Sequence, residues 1–467
     1  MFSQEISDSE KKRKTVVERM DKMNLLSKTE AVIDKSEKML KIPESIKHLN
    51  DFTVAKTPPT IEFLIIPFKN RYLKSVPEEY LNGIWTSWSQ GNYYAPTQKY
   101  YAAIGSHGFY NPELYIIEYD TQTKSIKSSP EINTVLGSAD SEFGDGKIHG
   151  WLDFYNGAEL YFCTYWCQYP EPSEEDFQSG YEGGSIISYN VVTEKLTNYG
   201  VPLKRSSWPY HRMDTRRGLL FAVGMFGEFL CYDINKKEVR FAGYLPEGMG
   251  WYVRTMLVDE ETGYVYSTNY LESDSSGHFI KYDPVKNRFY KMDSSVPPNS
   301  ITGERGKMRA HTKNKAKDGW YMGVVHGDPP GTGGQLFKFY PDEDRVENLG
   351  LCWSGEQRYT TSLAMSPDEK YVYYIPAAHG KAYLEGSPIV QYNVKTGKKK
   401  VLAFLFPYFY EKYGYITGGS FSLKLDEKGE KLFVVFNGAF TEYNPKGSDV
   451  FGDPSVMLIH IPESERE

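Results

Sequence analysis

Cysteine is scarce in this chain, with four residues among 467. That is too few to staple a chain of this size, so a disulfide framework is excluded. Cys163 and Cys167 form a CxxxC, which matches no common zinc spacing, and all four cysteines read as buried or free thiols. No run of about 18 apolar residues is present to cross a membrane. The longest apolar stretch, Ile61 to Phe68, has the length of a strand. The opening residues MFSQEISDSEKKRK lack the basic start and apolar run of a secretory signal, and no twin-arginine motif follows. The expected location is therefore the cytoplasm, with no membrane partner. Basic charge is not in excess: 54 Lys and Arg stand against 61 Asp and Glu, a net charge of -7. That balance argues against a nucleic-acid partner.

Aromatic residues make up 15% of the chain, led by 38 Tyr, and there are 41 Gly. That combination points to many short strands and turns. The strands repeat. LYIIEYDTQTKSI at 114–126 recurs as SIISYNVVTEKLTNYG, EFLCYDINKKEVRFAG, HFIKYDPVKNRFYKM, QLFKFYPDEDRVENLG and PIVQYNVKTGKKKVLA, with a worn last copy in SVMLIHIPESE. Each is an alternating strand, a turn and a second strand. The anchors are Tyr119, Tyr189, Tyr232, Tyr282, Phe339, Tyr392 and His460, spaced 43 to 70 residues apart. A further strand precedes each copy, as in RGLLFAVGMFG and EKYVYYIPAAHG. Seven copies at this period predict an all-β, seven-bladed β-propeller of four-stranded blades. The seventh copy stops after its third strand, and the otherwise unassigned segment 61–68 is expected to supply the fourth, closing the ring. Residues 59–467 are the expected propeller. Residues 1–58 are the expected N-terminal arm, with an amphipathic helix over 7–40 that packs on the propeller or meets an oligomeric or other protein partner.

Propellers work at the mouth of the central channel, where innermost strands start and second strands end. Those positions carry Trp85, Trp88, His149, Tyr210, His211, Arg254, Arg309, His311 and Tyr359 from the first set, and His107, Trp166, His326 and His379 from the second. Six of the nine histidines fall there. Two chemistries fit. His149, His211, His311, His326 and His379 are candidate ligands of one divalent metal ion, since imidazoles from different blades can converge on the axis. No HxH or HExxH spacing is present, so that signal is positional. Alternatively, His149 and Tyr210 act as acid and base while Arg254 and Arg309 neutralise a substrate carboxylate. Trp85, Trp88, His107, Trp166, Tyr252 and Tyr359 are candidate substrate-binding residues, because flat rings stack on sugars.

The segments KIHGWLDFYNGAELYF and RRGLLFAVG, with the Tyr-Asp and Tyr-Asn turns, resemble the seven-bladed propeller lyases of the ulvan and rhamnose-glucuronate type. Oligogalacturonate lyase and virginiamycin B lyase are more distant relatives of that group. The resemblance spans roughly residues 80–467 and implies a carbon–oxygen lyase acting on a uronate-type saccharide. His149 matches the first histidine of the ulvan-type site and Tyr210 its tyrosine. The second histidine position falls near Trp166, and the arginine position near Met225 or Phe226. Two other classes compete with this reading: a metal-dependent hydrolase, isomerase or oxygenase, and a non-catalytic protein-binding scaffold.

Overall fold

The computed structural model describes residues 29–66, 84–107, 112–138, 144–167, 171–271, 276–326 and 333–467. Seven antiparallel blades follow one another along the chain. Blades three, four and five are simple four-stranded sheets, with Tyr210–Asp214, Leu257–Val258 and Lys307–His311 as their innermost strands. In blade one, two short strands, Ile84–Thr86 and Asn92–Tyr94, share the long neighbour Lys99–His107. In blade two the inner pair is likewise split, into Asp145–Lys147 with Tyr165–Trp166 and Asp153–Tyr155 with Glu159–Cys163. Blade six starts at Ala364–Met365 and blade seven at Ile416–Leu425.

The ring closes with a strand from the other end of the chain. Thr60–Ile65 pairs antiparallel with Ser455–His460 as the fourth strand of blade seven. Glu62 on that strand accepts from His460 Nε2 at 2.8 Å and from the Tyr119 hydroxyl of blade one. One carboxylate thus ties the closing strand both to its own blade and to the next.

The strands are apolar on both faces because each blade is covered twice. Seven buried clusters fill the seven seams between neighbours. Tyr100 and Ala102 face blade seven, with Leu64, Phe433 and Val435. Their chain neighbours Tyr101 and Ala103 face blade two, with Leu160 and Phe162. The pattern repeats around the ring, through blades two and three, three and four, four and five, five and six, and six and seven. Period-two alternation sends successive side chains into opposite seams, so one strand glues two interfaces. The Cys163, Cys231 and Cys352 thiols are packing atoms in these seams.

The segment before the closing strand differs from the expected helix. Residues 7–28 lie outside the described residues. Val32–Asp34 is a strand on the outer edge of blade seven, paired with Phe63 to Ile61, and Glu37–Leu40 is a single 3-10 turn. Phe52–Val54 adds in parallel to the outer strand of blade six. An open sheet edge offers this backbone a full set of partners, which outweighs helical periodicity. Asp34 is then held by the hydroxyls of Tyr408 and Tyr413 and by Lys412. No helix among the described residues is long and apolar enough to cross a membrane.

Candidate functional site at the channel mouth

The innermost strands are regular where they meet the seams and irregular where they meet the axis. Each irregularity delivers a side chain to one mouth of the channel. In blade five the register slips between Met308 and Ala310, leaving Arg309 as the extra residue of a bulge. In blade seven it slips between Ser420 and Ser422, leaving Phe421. A bulge re-aims the side chain of its unpaired residue, and these two meet, with the Arg309 guanidinium 5.5 Å from the Phe421 ring centre. The breaks in blades one and two pair with each other. Gln90 and Trp151 form a lone bridge, and Gln90 N–H donates to the Gly150 carbonyl at 2.9 Å. That join brings the buried Trp88 and the half-buried His149 together. Gly150 is required there, since a Cβ would lie 2.4 Å from the His211 ring. Blade four breaks between Trp251 and Leu257, freeing Tyr252 and Arg254. Blade six has no regular pairing before Ala364, and Tyr359 is held by its carbonyl, which accepts from Ala378 N–H at 2.7 Å.

These side chains form a closed circuit. Trp88 lies 5.4 Å from His149, ring centre to ring centre. His149 Nδ1 is 2.9 Å from Arg254 Nη1. The Arg254 carbonyl accepts from Arg309 Nη1 at 3.0 Å, and Arg309 Nε donates to the Tyr359 hydroxyl at 2.9 Å. Tyr359 packs on His326 and His379, and His379 returns to Trp88 at 5.6 Å. Asp449 lies 3.6 Å from His379.

Lys147 carried no sequence signal, yet it belongs to this site. Its ammonium sits 4.9 Å from the Tyr165 ring centre, Arg254 sits 5.5 Å from it, and His149 meets the same ring edge-on at 4.9 Å. The Tyr165 hydroxyl donates to Glu171 at 2.6 Å. Lys147 is 5% exposed. Burial, with the Arg254 charge added, holds its amine down to about 7. Among the described residues, Lys147, Arg254 and Arg309 have no carboxylate within ion-pair distance. Buried charge without a partner is costly, and an anion at the mouth would offset that cost. The Arg254 contact also sets a tautomer. A guanidinium can only donate, so His149 Nδ1 accepts and the neutral ring carries its proton on Nε2.

The expected residues divide sharply. His149, Arg254, Arg309, Trp88, Tyr359, His326 and His379 come together at the mouth. Tyr210 lies deeper: it is 5% exposed, its hydroxyl accepts from Trp151 Nε1 at 2.7 Å, and burial raises its pKa. Tyr252 faces Tyr270 and Lys307. Trp85 is not a stacking platform, since it is 3% exposed and packs on Tyr115 in the seam with blade seven. Trp166 is 1% exposed against Tyr181. The side chain of His107 lies outside the described residues.

The five histidines expected as ligands are not assembled into a set. His311 is 2% exposed, with Nδ1 2.9 Å from the Thr312 carbonyl and Nε2 2.8 Å from the Met256 carbonyl, so neither nitrogen is aimed at the channel. His211 lies on the opposite face of its regular strand, against Gly150. Burial holds both imidazoles down to about 4. No three His, Cys, Asp or Glu side chains gather as a metal site among the described residues. At the mouth, His149 Nδ1 is taken by Arg254, and His379 lies 3.6 Å from Asp449.

No family model and no curated protein matches the chain. Among solved structures, a chain of a structure titled "Crystal Structure of Mitotic Checkpoint Complex" superposes with a TM-score of 0.51. It is 11% identical, over 91% of this chain and 97% of that one. The likeness is one of fold. It supports the propeller and carries no residue of the mouth.

Proposed function

We propose that the mouth binds a carboxylate-bearing saccharide of the uronate type and that the protein is a carbon–oxygen lyase. One observation carries this reading: Arg254 and Arg309, joined through the Arg254 carbonyl, lie without carboxylate partners, Arg254 over the Tyr165 ring and Arg309 on Tyr359. Two guanidinium groups side by side match a carboxylate and stabilise the charge it gains when the adjacent carbon loses its proton. Lys147 is the base. Its amine, near neutrality in pKa, is matched to proton transfer at physiological pH. The α-carbon gives its proton to Lys147, the electron pair forms a double bond to the β-carbon, and the β-carbon–oxygen bond breaks. The Lys147 ammonium then returns the proton to the departing oxygen, so the group ends as it began. His149, whose Nδ1 accepts from Arg254, orients that guanidinium and does not act as the base. Tyr210 takes no part in proton transfer in this scheme.

The test is incubation with a panel of oligouronates, following the ultraviolet absorbance of the unsaturated product. Turnover that is lost in Lys147→Met and kept in Tyr210→Phe supports the assignment. Absence of both turnover and calorimetric binding across the panel overturns it.

A further inference from the structure

Beneath the mouth the channel holds a second group of charges that the proposed reaction does not use. The Trp151–Tyr210 pair forms a floor between the two levels. On the far side, the Arg212 guanidinium lies 4.2 Å from the Trp151 ring centre. Arg212 is 1% exposed. Its Nε is 3.2 Å from Asp153 Oδ2, but at an angle that makes no hydrogen bond, and neither Nε nor Nη1 has a hydrogen-bond partner. Lys313 Nζ is 3.0 Å from Asp153 Oδ1. Asp153 Oδ2 also accepts from Met213 N–H at 3.1 Å, so each of its oxygens already has a partner. Lys424, on the innermost strand of blade seven and half-buried, is close enough to feel the charges of Lys313, Asp153 and Arg212. Burial first, and then the Lys313 charge, holds its amine down to about 7. No carboxylate lies within ion-pair distance of Lys424 among the described residues. His211 and His311 carry no negative charge in either protonation state and cancel nothing.

Two cations, from blades three and five, therefore share one carboxylate from blade two, and Lys424 of blade seven adds a third positive group to their field. The excess positive charge sits on the axis and not in a seam, in a protein whose overall charge is -7. We propose that Arg212, Lys313 and Lys424 form a second anion site inside the channel, which takes a small multivalent oxyanion. An anion there supplies the acceptors that Arg212 lacks and the counter-charge that Asp153 alone does not provide. The oxyanion is either a free ion or the distal acidic group of an extended ligand whose other end fills the mouth.

The test uses the full-length protein and inorganic phosphate, titrated by calorimetry in phosphate-free buffer slightly below neutral pH. One equivalent is expected to bind, about tenfold more weakly in Lys424→Met, with Lys424→Arg retaining affinity. Removing Lys424 strands no carboxylate, so thermal unfolding of that variant is expected to be unchanged or raised. Arg309→Met is expected to leave phosphate binding intact. Loss in Arg309→Met with retention in Lys424→Met places the anion at the mouth and overturns the proposal. A second arm compares a diuronate with a monouronate. Loss confined to the diuronate in Lys424→Met assigns the site to the distal group. No phosphate binding, together with no effect of Lys424→Met on either saccharide, overturns the second site whatever the outcome at the mouth.

Discussion

The seams between blades and the lining of the channel are built from the same strands under opposite rules. In the seams, Tyr100 stacks on Phe433 with ring centres 4.6 Å apart and planes 7° from parallel, and the alternation that places them is unbroken. At the axis, Arg309 and Phe421 are where they are because alternation fails. Regular pairing packs the seams of this molecule, and broken pairing turns polar and aromatic side chains toward the channel. The two regions also differ in how charge is treated. Glu62 in the closing strand is buried and partnered, whereas the half-buried Arg254 and the buried Arg309 have no counter-ion among the described residues.

Substitutions sharpen this contrast. Lys147→Met is expected to lower kcat on a uronate substrate by about 10²- to 10⁴-fold, the span of a lost general base, with no loss of stability in urea unfolding. The wild-type kcat/KM is expected to rise with pH through about 7, as the Lys147 amine loses its proton. A rate that is flat across that range removes Lys147 from the chemistry. Phe433→Ala, in a seam, is expected to cost about 3–5 kcal/mol of unfolding free energy, read by urea denaturation. An activity loss with full stability would break the division of labour drawn here. Arg309→Met is expected to lower kcat/KM by about tenfold or more, with part of the loss in kcat, while leaving thermal stability unchanged or higher, since it removes a buried charge that has no partner.

The smallest expected effect is at the closing strand. Burial alone would raise the Glu62 pKa, but hydrogen bonds from His460 and Tyr119 outweigh it and hold the carboxyl below its ordinary value. A lowered folded-state pKa contributes stability that is present above the unfolded value, near 4.5, and is lost as pH falls through the folded value. Glu62→Gln is expected to cost about 1–2 kcal/mol near neutrality and to flatten the acid limb of a stability–pH curve. An unchanged limb would show that the ring closes without help from this carboxylate.

How much of this was legible beforehand follows the same division. The turns after Tyr119, Tyr189, Tyr232 and Tyr282 announce the blades, because a strand buried on both faces has to be apolar throughout and must end at a polar turn. The mouth residues His149, Arg254 and Arg309 were found by their position in the repeat. Trp85 and Trp166 were misplaced by the same logic, since an aromatic ring at a strand end packs inward as readily as it faces a channel. The arm over 32–34 read as helix because periodicity within a segment is blind to the open edge that claims it. Lys147 gave no signal at all. An isolated lysine is ordinary in a sequence, and only the Tyr165 ring, Arg254 and the loss of water around it make its amine unusual.

The sequence by itself determined the number of blades and the apolar character of their strands, because those depend on local alternation repeated seven times. Only the tertiary structure decided which polar side chains face one another across the axis. That choice rests on one-residue bulges and breaks in the innermost strands, and each of them is set by contacts with residues from other blades.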